Sequence, residues 1–121
     1  MVGDLSMAKA ENKIQLEIIK WLKAHDVFCW RNNSMGVFDP KIGTYRSNPY
    51  SMRGVGDIIG VLPDGRFLSC EVKTPKGKPS ADQVLFIKRC SRLNGVCFVA
   101  RSIEDTEKAL RDAGLSLTDG S

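Results

Sequence analysis

Asp57, Glu71 and Lys73 are charged residues set in two apolar runs, 57–62 (DIIGVL) and 66–73 (RFLSCEVK), which read as β-strands. Two carboxylates and an ammonium on a strand pair are either a salt-bridged rim on a half-exposed sheet or a group held together to bind something. The turn between the strands decides whether they meet. In Leu62-Pro63-Asp64-Gly65-Arg66, Pro63 and Asp64 suit the two central positions of a type I turn, and Gly65 suits the left-handed residue that follows. That is a three-residue hairpin loop in which Leu62 faces Arg66. Counting back along both strands, Asp57 faces Glu71. Cross-strand partners share a face, and Lys73, two residues beyond Glu71, shares it too. The two carboxylates then approach to roughly 5 Å at Cβ. Opposed like charges destabilise a sheet, and a divalent cation turns that cost into a binding site. Oxygen donors suit Mg²⁺ or Mn²⁺. A two-residue loop would shift the register by one and send Asp57 to the other face. Asp64 belongs to the turn and has no chemical role.

The rest of the chain must position this hairpin. Residues 8–24 read as a helix capped by Ser6, with Ile14, Ile18, Trp21 and Leu22 on one stripe as core or partner contacts. Glu11 falls on that inward stripe and Glu17 on its flank; an acid there needs a partner, unless it is a solvated residue of the first turn. Residues 27–31 suggest a strand. Residues 32–56, rich in Gly, Asn, Ser and Pro, suggest a long loop with a short strand near 43–46. Residues 80–93 read as a second helix, opened by the capping box Ser80-x-x-Gln83 with a staple of Pro79 and Val84, and stopped by Asn94-Gly95. Residues 96–100 are all apolar, which predicts a strand buried on both faces. Ser102 caps a last helix ending near Gly114. The order α-β-β-β-α-β-α predicts an α/β fold, a mixed central sheet flanked by helices. It forms a single domain with its core at about 8–113 and a loosely held tail, 114–121.

The 121 residues suit one compact domain, and 42% hydrophobic with 26% charged content excludes a disordered chain. No apolar run approaches the about 18 residues of a membrane span, and the first residues lack the pattern of a secretory signal, so the expected location is cytoplasmic. Cys29, Cys70, Cys90 and Cys97 form no CxxC pair, and His25 is the sole histidine, so a zinc site is not expected. The cysteines read as small buried hydrophobes of a reducing compartment. The net charge of +4 is compatible with a polyanionic partner, and Arg46, Arg53, Lys73, Lys76 and Lys78 surround the charged hairpin.

Several of these residues fall together in one family pattern. Gly56-Asp57 followed by Glu71-Val72-Lys73 resembles the PD-(D/E)xK nuclease core. The fuller set resembles the virus-type replication–repair nuclease (VRR-NUC) domain within it: Glu11-x-x-Ile14-Gln15, Trp30-Arg31-Asn32, the run from Gly54 to Gly60, the run from Glu71 to Gly77, then Gln83 and Gly95. The resemblance covers about residues 8–105. The proline of the PD motif is replaced here by Val55-Gly56; the acid is the residue that binds metal.

The resemblance implies a restriction-endonuclease-like core and Mg²⁺- or Mn²⁺-dependent hydrolysis of DNA phosphodiesters. It further implies a homodimer acting on branched DNA, such as a Holliday junction, in DNA repair. A phage or mobile element is the expected setting. By the same resemblance, Asp57 and Glu71 are metal ligands, joined by the Val72 carbonyl and by Glu11. Lys73 orients or helps deprotonate the attacking water and stabilises charge on the phosphate, and Gln83 positions water or phosphate beside it. Gln83 also has a role in its capping box, which can coexist with that one. Lys76 and Lys78, flanking Gly77, are candidate phosphate contacts or solvated loop charges. Arg31 and Arg53 are further DNA-contact candidates, and Tyr45 and Arg46 are candidates to stack on a base or track a strand. The competing readings are a non-catalytic DNA-binding module of the same fold, a nuclease of flap, nicked or linear DNA, and a protein-interaction domain whose charges are only surface.

Overall fold

The computed structural model describes residues 2–32, 37–46 and 52–117, with side chains for 6–32, 39–44 and 52–117. Residues 118–121 of the expected tail lie outside it. The elements are α1 (Val2–Ala24), β1 (Phe28–Arg31), β2 (Val37–Asp39), β3 (Thr44–Arg46), β4 (Ile58–Val61), β5 (Phe67–Val72), α2 (Ala81–Arg92), β6 (Val96–Ala100) and α3 (Ile103–Asp112). The fold is α/β, with a four-stranded mixed sheet ordered β1-β4-β5-β6 and three helices. β1, β4 and β5 are antiparallel neighbours, and β6 returns parallel to β5 through the crossover helix α2. β2 and β3 form a separate antiparallel hairpin, which turns part of the expected long loop into ordered structure. No helix among the described residues is long and apolar enough to cross a membrane.

The turn chemistry sets the central register. Gly65 sits at φ 90°, and its N–H donates to the Leu62 carbonyl at 2.8 Å. The Leu62 N–H donates to Arg66 O at 2.9 Å. The ladder then pairs Ile58 with Cys70, Ile59 with Ser69, Gly60 with Leu68 and Val61 with Phe67, the register counted from the sequence. Asp64 accepts from the Arg66 N–H and ion-pairs with its guanidinium at 2.7 Å, so it stays a turn residue.

Two faces follow from this register. Ile58, Leu68, Cys70, Val72, Val96 and Ala100 form one face, buried with Ile18 and Leu22 of α1 and Leu110 of α3. Ile59, Ser69, Glu71 and Cys97 lie on the other. There α2 covers the β6 side, since the Cys90 thiol stands beside Cys97. Among the described residues no helix covers the β1–β4 side of that face: Phe28 is 70% exposed and Trp30 43%, with Val61 and Phe67 exposed beside them. Phe28, Val61 and Phe67 form one row across three strands.

Three expectations need correction. α1 runs through Ser6 instead of starting after it, because Met7-Ala8-Lys9-Ala10 are good helix formers with no proline before them. β6 is buried at Val96 and Ala100 but only half-buried at Cys97, Phe98 and Val99, because it is an edge strand with one strand neighbour. Cys29 and Cys70 are buried hydrophobes, whereas Cys90 and Cys97 are half-buried; all four are free. The α2 cap stands as expected, with both capping-box bonds made at Ser80 and Gln83.

Candidate active site

Asp57 stands one residue before β4, where the hairpin ladder ends. Its carboxylate is aimed across the gap: Oδ2 accepts the Val72 N–H at 2.8 Å. The next amide, Lys73 N–H, turns the other way and donates to Ala100 O on β6 at 3.0 Å. Successive residues of a strand face opposite edges, so Val72 presents both its amide and its carbonyl to the Asp57 side.

The backbone around Asp57 is clamped from both sides. Asn32 N–H donates to Asp57 O at 2.8 Å, and the Asn32 amide reaches Gly56 O at 3.3 Å. Gly56 N–H donates to the buried Ser69 Oγ at 2.9 Å. A Cβ at Gly56 would stand 2.5 Å from Ser69 Oγ and 2.8 Å from Cys70 backbone atoms. Only glycine allows this approach without displacing the strand. Ser69 and Asn32 are positioning residues; Asn32 belonged to the matched Trp30-Arg31-Asn32 piece without a role of its own, and Ser69 was not singled out from sequence. Ser69 carried a signal: it is a hydroxyl inside an otherwise apolar run, two residues from Glu71 on the same face.

Glu71 is only 3% exposed. Its Oε1 lies 3.7 Å from Lys73 Nζ, while its buried Oε2 has no hydrogen-bond partner. Burial, then the Asp57 charge and a hydrogen bond with the Asp57 carboxyl, push the Glu71 carboxyl up to about 8; Lys73 opposes the shift and Glu11 adds to it. Glu11 projects from α1 into the same field. Its carboxyl is raised first by burial and then by Asp57, and Lys73 pulls it down. Two carboxyls held this close share a single proton or a cation between them. The pair is not a closed cage: among the described residues no three His, Cys, Asp or Glu side chains are grouped to enclose an ion. The donors fit a hard cation all the same, because Mg²⁺ takes one or two carboxylates and fills its remaining positions with water and phosphate oxygens. The orphaned Glu71 Oε2 is the observation that makes the fit.

The outlying candidates are placed less closely. Gln83 Oε1 accepts the Ser80 N–H of the α2 cap at 2.7 Å, so the side chain is held at the cap. Arg31 is exposed at the end of β1 and donates to Asn12 on α1 at 3.2 Å, one residue from Glu11. Lys76 and Lys78 are exposed in the loop after β5. That loop is anchored by Arg101, which donates to Gly77 O at 2.8 Å and was not singled out from sequence. Arg53 is exposed beside α2, on an apolar cleft with Leu85, Phe86 and Arg89. Tyr45 and Arg46 fall in β3 by their backbone, and their side chains lie outside the described residues. Compared with protein-family models, with curated proteins and with solved structures, the chain matches none of them.

Proposed function

We propose that the chain is a metal-dependent endonuclease that hydrolyses DNA phosphodiesters, built on a PD-(D/E)xK core of the VRR-NUC type, with branched DNA such as a four-way junction as its substrate. The observation that carries the reading is the Asp57–Glu71 pair beside Lys73, with a buried carboxylate oxygen left without a partner. Asp57, Glu71 and the Val72 carbonyl would hold Mg²⁺ or Mn²⁺, with Glu11 completing the shell. A cation there supplies Lewis-acid polarisation of the phosphoryl group and a more acidic water.

The protein's own groups do the rest. The Val72 N–H fixes the rotamer of Asp57. Lys73, partly buried and paired with Glu71, keeps its ammonium at the mouth of the site. There it can orient the attacking water and offset the negative charge that grows on the phosphoryl oxygens during in-line displacement. Lys76, Lys78, Arg31 and Arg53 are exposed and would contact the phosphate backbone, which specifies position rather than sequence.

Incubating the protein with labelled four-way junction and linear duplex, in Mg²⁺, Mn²⁺ or EDTA, tests the reading. Metal-dependent cuts should appear on the junction and vanish in Asp57→Ala. Lys73→Ala should lower the cleavage rate by at least about 100-fold while DNA is still bound. Bound but uncut DNA under every metal would instead favour a non-catalytic binding module, and preferred cutting of linear duplex would remove the junction assignment.

A second copy of the chain is the proposed partner. The uncovered row of Phe28, Val61 and Phe67, with Trp30 beside it, carries no charge, so the same face of another copy meets it without like-charge opposition. The row also lacks the Lys and Arg that a phosphate backbone needs. A twofold pairing over this face would carry two cleavage centres. Sedimentation velocity should return a dimer for the native chain and a folded monomer for the double variant Phe28→Asp, Trp30→Asp. A variant that remains dimeric would move the interface elsewhere.

A further inference from the structure

Cys97 is the β6 partner of Ser69, and neither it nor Cys90 plays a part in the proposed cleavage. Cys90 stands in the last turn of α2, and Cys97 is the second residue of β6. The chain reverses between them through Asn94 at φ 71°, and Gly95 N–H donates back to Cys90 O at 3.0 Å. The reversal brings the two sulfurs to one place. A Cβ on Gly95 would stand 2.6 Å from the Cys90 Sγ and 3.3 Å from the Cys97 Sγ. Both residues are only half-buried, whereas Cys29 and Cys70 are sealed in the core. Cys90 lines the apolar cleft beside Leu85 and Leu93, and Cys97 lines a second cleft between α2 and α3 beside Phe98 and Ala109. Reagents therefore reach the pair from two sides.

We propose that Cys90 and Cys97 are an oxidisable dithiol that closes to an intramolecular disulfide, with a low-molecular-weight disulfide as oxidant. Cys90 gives its proton to solvent, and its thiolate attacks one sulfur of the oxidant. The oxidant's S–S bond breaks and its first thiolate departs. Cys97 then gives up its proton, attacks the Cys90 sulfur of the mixed disulfide and expels the remaining thiolate. The two cysteines lose two electrons, and the oxidant becomes two thiols after protonation by solvent. Cys90 acts first because burial and the neighbouring Cys90 thiol both push the Cys97 thiol up, which leaves little Cys97 thiolate to initiate. The product ties the last turn of α2 to β6 across a short loop, and excess thiol reverses it.

The test uses the full chain and oxidised glutathione. After exposure, alkylation and digestion with trypsin without reductant, the fragment Cys90–Arg92 should be recovered joined to Leu93–Arg101. The intact chain should lose two hydrogens and keep its monomer mobility on a non-reducing gel, and Cys29 and Cys70 should be alkylated only after unfolding. In Cys97→Ser the reaction should stop at a glutathione adduct on Cys90, and circular dichroism should confirm that this variant is folded. Recovery of the two fragments separately, or a link only between two chains, would overturn the proposal. Cleavage activity enters neither readout, so the result stands or falls apart from the nuclease reading.

Discussion

Glu71→Gln is expected to raise the melting temperature of the metal-free protein at pH 8.5 and to abolish metal-dependent cleavage. The two effects have one cause. In the fold the Glu71 carboxyl is raised from 4.5 to about 8, chiefly by burial and then by Asp57. A raised carboxyl favours its neutral form in the folded state. Below about 4.5 the folded and unfolded chains both carry the proton, and no stability is lost. As pH rises from there towards about 8 the unfolded chain ionises first, and stability falls across that window. Glutamine keeps the shape and is neutral at every pH, and its amide donates to Asp57 where the proton did. The gain at pH 8.5 should be about 1–3 kcal/mol, allowing for relaxation around the site, which is several degrees in a domain of this size. The native chain should recover the same stability when Mg²⁺ or Mn²⁺ is added, and the variant should not, because binding to the folded state alone stabilises it. Cleavage should fall more than the roughly 10–100-fold typical of outer-shell changes at metal sites. A variant that melts at or below the native temperature at pH 8.5 would show that Glu71 is not a strained acid, and the cation site would lose its basis.

Gly56→Ala carries the second large effect. The added methyl would fall 2.5 Å from the buried Ser69 Oγ and 2.8 Å from the backbone N and C of Cys70; the hydroxyl could turn, but the backbone atoms cannot step aside. The strand must move, and Asp57 moves with it. A cost of about 2–4 kcal/mol is expected, in the range of overpacked cores. Cleavage should fall by roughly 100-fold or more, because misplacement by about 1 Å is enough to do so. Gly65→Ala is the matched comparison. Its φ of 90° makes the substitution strained, yet a Cβ there meets nothing within 4 Å. It should cost only about 1 kcal/mol and leave cleavage intact. Thermal melts with parallel cleavage assays separate the two cases. If Gly56→Ala melted like the native chain, the close approach of the Asp57 segment to β5 would be wrong.

The residue sequence alone determined the features that rest on local backbone preference. Pro63-Asp64-Gly65 admits one tight turn, and that turn dictated the hairpin register and put Asp57 and Glu71 on one face. Ser80 and Gln83 announced the start of α2, and the crossover between the hairpin and β6 required a parallel strand. Other features depended on residues far apart in the chain, and only the tertiary structure decided them. The turn paired Glu71 with Asp57, but only the packed sheet removed it from water and left its Oε2 without a partner. β6 looked buried on both faces, but its edge position half-exposes Cys97 and Phe98. Residues 27–31 suggested a strand, and only packing decided that Phe28 and Trp30 stand exposed on it, with no helix over them among the described residues. Cys90 and Cys97 are unremarkable in sequence and adjacent in space. A turn is set by the torsions of a few neighbouring residues, whereas burial and proximity are set by what the whole chain packs around them.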